Sequence, residues 1–156
     1  MARRLVALIE THADALTSRL VARLREHPGT IGFRKYDDLE LGRRAREIYS
    51  HLGFWLRSSS EPEIEAAMKG FGRAERAQGL PLSDVVGALL LTRRCLWEFA
   101  EGEAGDSVLD LRQELDLQLL VVRFFDRAVY WTVRGYEEAG PVEARAAERT
   151  GAASHA

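Results

Sequence analysis

A chain of 156 residues and 17.5 kDa is one domain's worth of polypeptide, long enough to bury a core without disulfide staples. Its 46% hydrophobic and 29% charged residues exclude a disordered tail, and the lone Cys95 excludes a disulfide scaffold. The 22 basic against 24 acidic residues leave a net charge of -2, without the basic excess on which phosphate-driven nucleic-acid binding rests.

No charged-then-apolar signal segment opens the chain. The longest apolar runs, Val85 to Leu91 and Leu117 to Val122, are far shorter than the roughly 20 residues of a membrane span. A cytosolic location is expected, with neither a nucleic-acid nor a membrane partner. Alanine, leucine, glutamate and arginine outnumber valine and isoleucine and only four prolines occur, a composition that favours helix.

The first predicted helix runs from about Ala2 to Glu26, with Leu5, Ile9, His12, Ala13, Leu16, Leu20 and Leu24 on one stripe. His27, Pro28 and Gly29 stop it. Thr30 to Tyr36 reads as a loop that tucks Ile31 and Phe33 onto the core. Asp37 or Asp38 caps a second helix carrying Leu41, Ala45, Ile48, Tyr49, Leu52, Trp55 and Leu56, which ends in the serine run 58–60. Ser60 and Glu63, with Pro62 between them, have the spacing of a capping box. The third helix presents Ile64, Ala67, Met68, Phe71 and Ala74 and ends at Gly79. Gly70 and Gly72 weaken it by about 1 kcal/mol each, a cost that points to close backbone packing or a kink.

A fourth helix starts at Pro81 or Ser83, buries Leu82, Val85, Val86, Leu89, Leu96 and Ala100, and ends near Gly102. Gly105 and Asp106 make the next turn. The last helix, about Ser107 to Glu138, is the longest and carries two apolar stripes. One is Leu111, Leu115, Val122, Phe125, Val129 and Tyr136; the other is Leu117, Leu120, Val121, Phe124, Ala128 and Trp131. Two apolar faces need two surfaces to pack against, so this helix is either central to the bundle or shared with a second subunit. Residues 1–140 read as a single helical domain of about five main helices, and 141–156 as a polar tail that frays. The fold class is all-α.

Catalytic signals are missing. There is no GxGxxG after a strand, no P-loop, no HExxH and no CxxC, and nothing local supports a serine or Cys95 as a histidine-activated nucleophile. The expectation is a protein that is not an enzyme and needs no cofactor. His12 and His51 are most simply partly buried histidines; the sharper reading makes either one an axial haem ligand, with Cys95 a poorer one. Leu52 to Ser154 contains no histidine, which weakens that reading. Arg93 lies on or beside the inward stripe of the fourth helix and Arg94 is placed to pair with Glu98. A ligand reading sets Arg93 in an anion or carboxylate pocket where the third and fourth helices meet, with Arg73, Trp97 and Phe71 close by; the simpler one leaves the arginines solvated. Asp126 reads as an intrahelical ion-pair residue between Arg123 and Tyr130.

The most distinctive stretch is Gly72-Arg73-Ala74-Glu75-Arg76-Ala77-Gln78-Gly79-Leu80-Pro81-Leu82-Ser83-Asp84-Val85-Val86-Gly87-Ala88-Leu89, with Arg93-Arg94 and Leu96-Trp97-Glu98 behind it. It resembles the RsbRD-type N-terminal sensor domain, which stands at the front of stressosome co-antagonists of the RsbR kind and of some bacterial histidine kinases. Phe125-Asp126-Arg127-Ala128 and Tyr136-Glu137-Glu138 are similar to that family's closing helix, and the resemblance extends over most of residues 5 to 139. Related sequence occurs in helical domains of PucR-like regulators.

The resemblance implies a globin-like helical sensor, commonly without haem, that forms a homodimer and signals through its C-terminal helix to a STAS, kinase or other regulatory partner. On that implication the dimer seam is Leu115, Val122, Phe125, Val129 and Tyr136. A haem-binding gas sensor and a helical adaptor that docks a partner helix are the alternatives. The family usually leads into an output domain; this chain is expected either to act on a separate partner or to be cut from something longer.

Overall fold

Helix-forming composition becomes six α-helices and one 3-10 helix in the computed structural model, which describes residues 2–58, 60–103 and 108–140. No strand occurs among the described residues. In order they are α1 (Ala2–Thr11), α2 (Ala13–Glu26), the 3-10 helix (Pro28–Lys35), α3 (Asp38–Ser58), α4 (Glu61–Ala77), α5 (Leu82–Glu103) and α6 (Val108–Glu138). The turn expected at Gly105 and Asp106 and the tail expected from residue 141 lie outside the described residues.

The apolar stripes meet in one core. Leu5 of α1, Leu16 and Leu20 of α2, Leu41 and Leu52 of α3, Ile64 and Met68 of α4, Leu89 and Leu96 of α5, and Phe124 and Phe125 of α6 are all essentially removed from water. Burying a leucine- or phenylalanine-sized side chain contributes about 1.5–3 kcal/mol, so these positions carry most of the drive to fold. Ala74, expected inward, is exposed.

Several local expectations need correction. The first helix is two helices, bent at His12 (φ -116°, ψ 20°). The bend is shallow, because His12 N–H still donates to Leu8 O at 3.0 Å and Leu16 N–H to His12 O at 2.9 Å. It lets α1 lie along α3 while α2 packs between α3 and α5. The supposed loop after Pro28 is the 3-10 helix. Its three-residue period stacks Thr30 and Phe33 on the buried side and turns Ile31 outward, 55% exposed. Asp37 does cap α3, its Oδ1 accepting from Glu40 N–H at 2.8 Å. Ser60 makes no side-chain capping bond; instead Ser58 Oγ accepts from Ser60 N–H at 3.3 Å and donates to Phe54 O.

The tightest crossing joins α4 to α6, and glycine makes it possible. A Cβ on Gly72 would press on the Thr132 carbonyl oxygen and lie 2.8 Å from Tyr136 N; a Cβ on Gly135 would lie 2.6 Å from Lys69 Cα. Gly72 therefore has the close-packing role read from sequence. Gly70 does not: nothing lies within 4 Å of a Cβ there.

Candidate functional site

The distinctive stretch from Gly72 to Leu89 folds into the corner between α4 and α5. Leu80 N–H donates to Glu75 O and Gly79 N–H to Arg76 O, the paired bonds of a Schellman ending, with Gly79 at φ 71°. Leu80 is then buried, and its carbonyl accepts from Tyr136 Oη at 2.8 Å. Asp84 Oδ2 accepts from Gly32 N–H at 2.7 Å, and Gln78 O accepts from Lys35 Nζ, so the 3-10 helix is tied to the same corner. Arg76 Nε donates to Gly140 O at 2.5 Å while its guanidinium lies 4.8 Å from the centre of the Tyr136 ring. The exit of α6 is thus fastened to the corner by Arg76 in the last turn of α4 and by the bond of Tyr136 to Leu80.

A buried charge sits behind that corner. Glu75 is 1% exposed and pairs with Arg44 of α3, which also holds Glu40 at 2.7 Å. The Arg44 guanidinium stacks 4.1 Å from the Tyr36 ring centre. Glu75 Oε2 and Tyr36 Oη have no hydrogen-bond partner. Burial pushes the Glu75 carboxyl above its ordinary range, partly offset by Arg44, and burial likewise raises the Tyr36 phenol. Sequence reasoning missed this pair. The signal was there: Glu75 falls eleven residues after Ile64 and seven after Met68, on the buried stripe of α4.

A cleft of about 510 Å³ lies elsewhere, between α5, the first half of α6 and the end of α2. Arg93, Arg94 and Trp97 line it together with His27, Gln118 and Val121. Arg93 reaches Asp126 of α6 only loosely, at 3.9 Å. Arg94 does not pair with Glu98, which instead receives two bonds from Arg23, at 2.6 and 3.3 Å. Among the described residues no carboxylate lies within 4 Å of Arg94. Two of the four ligand candidates, Arg93 and Trp97, meet here. Arg73 is apart, at 3.4 Å from Glu138, and Phe71 lines a crevice of about 30 Å³ beside Ala88 and Leu89. The opening is therefore between α5 and α6, not where α4 meets α5. The reason is geometric: the Gly72–Gly135 crossing closes α4 onto α6.

The five residues expected along a seam also separate. Phe125 is fully buried in the protomer's own core, touching Phe124 edge-on at 5.1 Å, so it has no surface to give a second copy. Val129 is half-buried against the core, and Tyr136 is committed to Leu80. Leu115 (57% exposed) and the half-buried Val122 remain, and Leu119 (49%) joins them. Spaced at four and three residues, Leu115, Leu119 and Val122 form an outward stripe on α6, with Leu90 of α5 exposed nearby. Of the expected haem ligands, His12 packs on Phe99 at 5.0 Å between ring centres, His51 is half-buried, and Cys95 is buried with its thiol pushed up by desolvation, which makes it a poor nucleophile as well. Among the described residues no three His, Cys, Asp or Glu side chains gather as a metal set, and no helix is long and apolar enough to cross a membrane.

Residues 14–150 match the family model described as the RsbT co-antagonist protein RsbRD N-terminal domain. No curated protein matches the chain, and no solved structure does.

Proposed function

The chain belongs to the family of RsbT co-antagonist RsbRD N-terminal domains, a regulatory family of the stressosome type, and we propose that it works as a homodimeric sensor that reports through α6. The observation that carries the reading is the division of labour along that one helix. Its first half presents Leu115, Leu119 and Val122 to water, and its second half is locked to the α4–α5 corner through Gly135, Tyr136 and Gly140.

The occupant of the outward stripe is a second copy. Asp116, Asp126 and Arg123, all exposed, flank it, so the rim of a two-fold contact there carries charges of both signs around a shared apolar strip. The domain acts without catalysis and without haem, in the globin-like arrangement that the sequence resemblance implies, and hands its state to a downstream signalling protein. Its mechanism is a choice between two packings. In that choice α4 and α6 shift together as a pair, because their backbones interlock at Gly72 and Gly135. An effector biases that choice only by fitting one packing better than the other.

Hydrogen exchange tests the coupling. In Leu115→Glu/Leu119→Glu, the amides of 132–140 are expected to lose protection although both substitutions lie some three turns or more away. Unchanged exchange there, in a variant that has become monomeric, would uncouple the stripe from the exit and refute the reading.

A further inference from the structure

We infer that the α5–α6 cleft is a binding site for a hydrophobic carboxylic acid, an inference that rests on the sensor reading for its purpose but not for its chemistry. A volume of about 510 Å³ is in the range that encloses a small organic molecule. Its floor is apolar: Leu91 and Val121 are buried core residues, and Trp97 adds a half-buried indole face. Its polar side chains all offer donors. Arg93 and Arg94 bring two guanidinium groups, and Gln118 a side-chain amide.

His27 adds a third kind of donor. Its Nδ1 accepts from Gly29 N–H at 3.0 Å, so the neutral ring carries its proton on Nε2. No acidic side chain lines the cleft among the described residues, and the nearest one in contact with a lining group is Asp126, loosely held and exposed. Donors at one side and an apolar floor match a single anionic head on an apolar body. A carboxylate fits best, because a planar guanidinium takes its two oxygens in parallel and can draw Arg93 away from a 3.9 Å contact. A ligand seated there touches α5, the start of the 3-10 helix and the half of α6 that bears the outward stripe, so it bears directly on the element that moves.

The test uses calorimetry and amide chemical shifts on the full chain, with butyrate, octanoate, dodecanoate, 4-phenylbutyrate and indole-3-acetate as probes, each beside its neutral amide. At least one acid is expected to bind saturably and to shift the Gly87 amide and Trp97 indole signals. Its amide should bind at least about tenfold more weakly, and the exposed Arg94→Ala and the Arg93→Met variants should each weaken the acid about tenfold. No saturable acid binding, equal binding of acid and amide, or indifference to both arginine variants would overturn the site. The same samples separate this from the sensor reading. Failure of every acid in a protein that is still dimeric removes the site alone. An acid that binds as described yet leaves exchange at 132–140 unaltered keeps the site and removes the sensor.

Discussion

Two alanine substitutions in α4, two residues apart, should move stability in opposite directions. At Gly72 a methyl group would press on the Thr132 carbonyl oxygen and approach Tyr136 N to 2.8 Å, and both obstacles are backbone. Neither can rotate aside as a side-chain tip would, so α4 and α6 must part along their closest crossing. Overpacking of this kind costs about 1–3 kcal/mol, and the upper end applies because no side chain can give way. Alanine's better helix propensity returns about 1 kcal/mol, leaving Gly72→Ala destabilised by about 2 kcal/mol. At Gly70 nothing lies within 4 Å and the position is exposed, so only the propensity gain of about 1 kcal/mol survives. At this chain length 1 kcal/mol moves Tm by roughly 2–4 °C, which sets Gly72→Ala about 4–8 °C below the parent and Gly70→Ala about 2–4 °C above it. Thermal and urea melts followed by circular dichroism read both. A Gly72→Ala protein as stable as its parent would refute the interlocked crossing, and a destabilised Gly70→Ala would refute the account of why glycine differs between the two positions.

Removing the Tyr136 hydroxyl with Tyr136→Phe strands the Leu80 carbonyl, and urea unfolding should report a loss of about 1 kcal/mol; no loss would mean that the 2.8 Å bond does not fasten the exit of α6. Glu75 predicts a pH signature. Because burial raises its folded pKa above the ordinary 4.5, the stability it contributes is complete below that value and is lost as pH rises through the folded one. Glu75→Gln deletes the titration, so the parent's stability minus the variant's should fall as pH climbs from about 4, and a flat difference would show that Glu75 ionises as freely as in the unfolded chain. Glu40 works in the other sense: hydrogen bonds from Arg43 and Arg44 hold it down at about 2, so its contribution is present above 4.5 and disappears as pH drops toward 2. Glu40→Gln should therefore flatten the acid limb of the stability curve, measured by urea melts between pH 2 and 5.

What the sequence made legible was whatever repeats along one helix. The stripes of α3, α5 and α6 placed Leu41, Leu52, Leu89, Leu96, Val121 and Phe124 correctly in the core, because burial of a helix face follows its period. The corner was legible as a motif, and Gly79 as its stop. What could not be read were relations between helices. Two apolar stripes on α6 left open which one faced the core; the answer, that Phe124 and Phe125 both do, depends on where residues of other helices such as Trp55 stand in space. Arg94 looked like a partner for Glu98 four residues on, and Arg23, 75 residues away, took that role. Gly135 drew no attention because its partner, Lys69 backbone, lies on another helix. The cleft itself is a product of that crossing: closing α4 on α6 leaves the other side of α6 open to α5.

Absolute mass by light scattering tests the central claim most directly. The parent chain at about 10 μM should weigh twice its 17.5 kDa, and Leu115→Glu/Leu119→Glu should fall to 17.5 kDa while keeping its helical circular dichroism, since both leucines are exposed in the protomer. A parent that is already monomeric, or a double variant that stays dimeric, would contradict the account, because α6 would then have no partner through which to report.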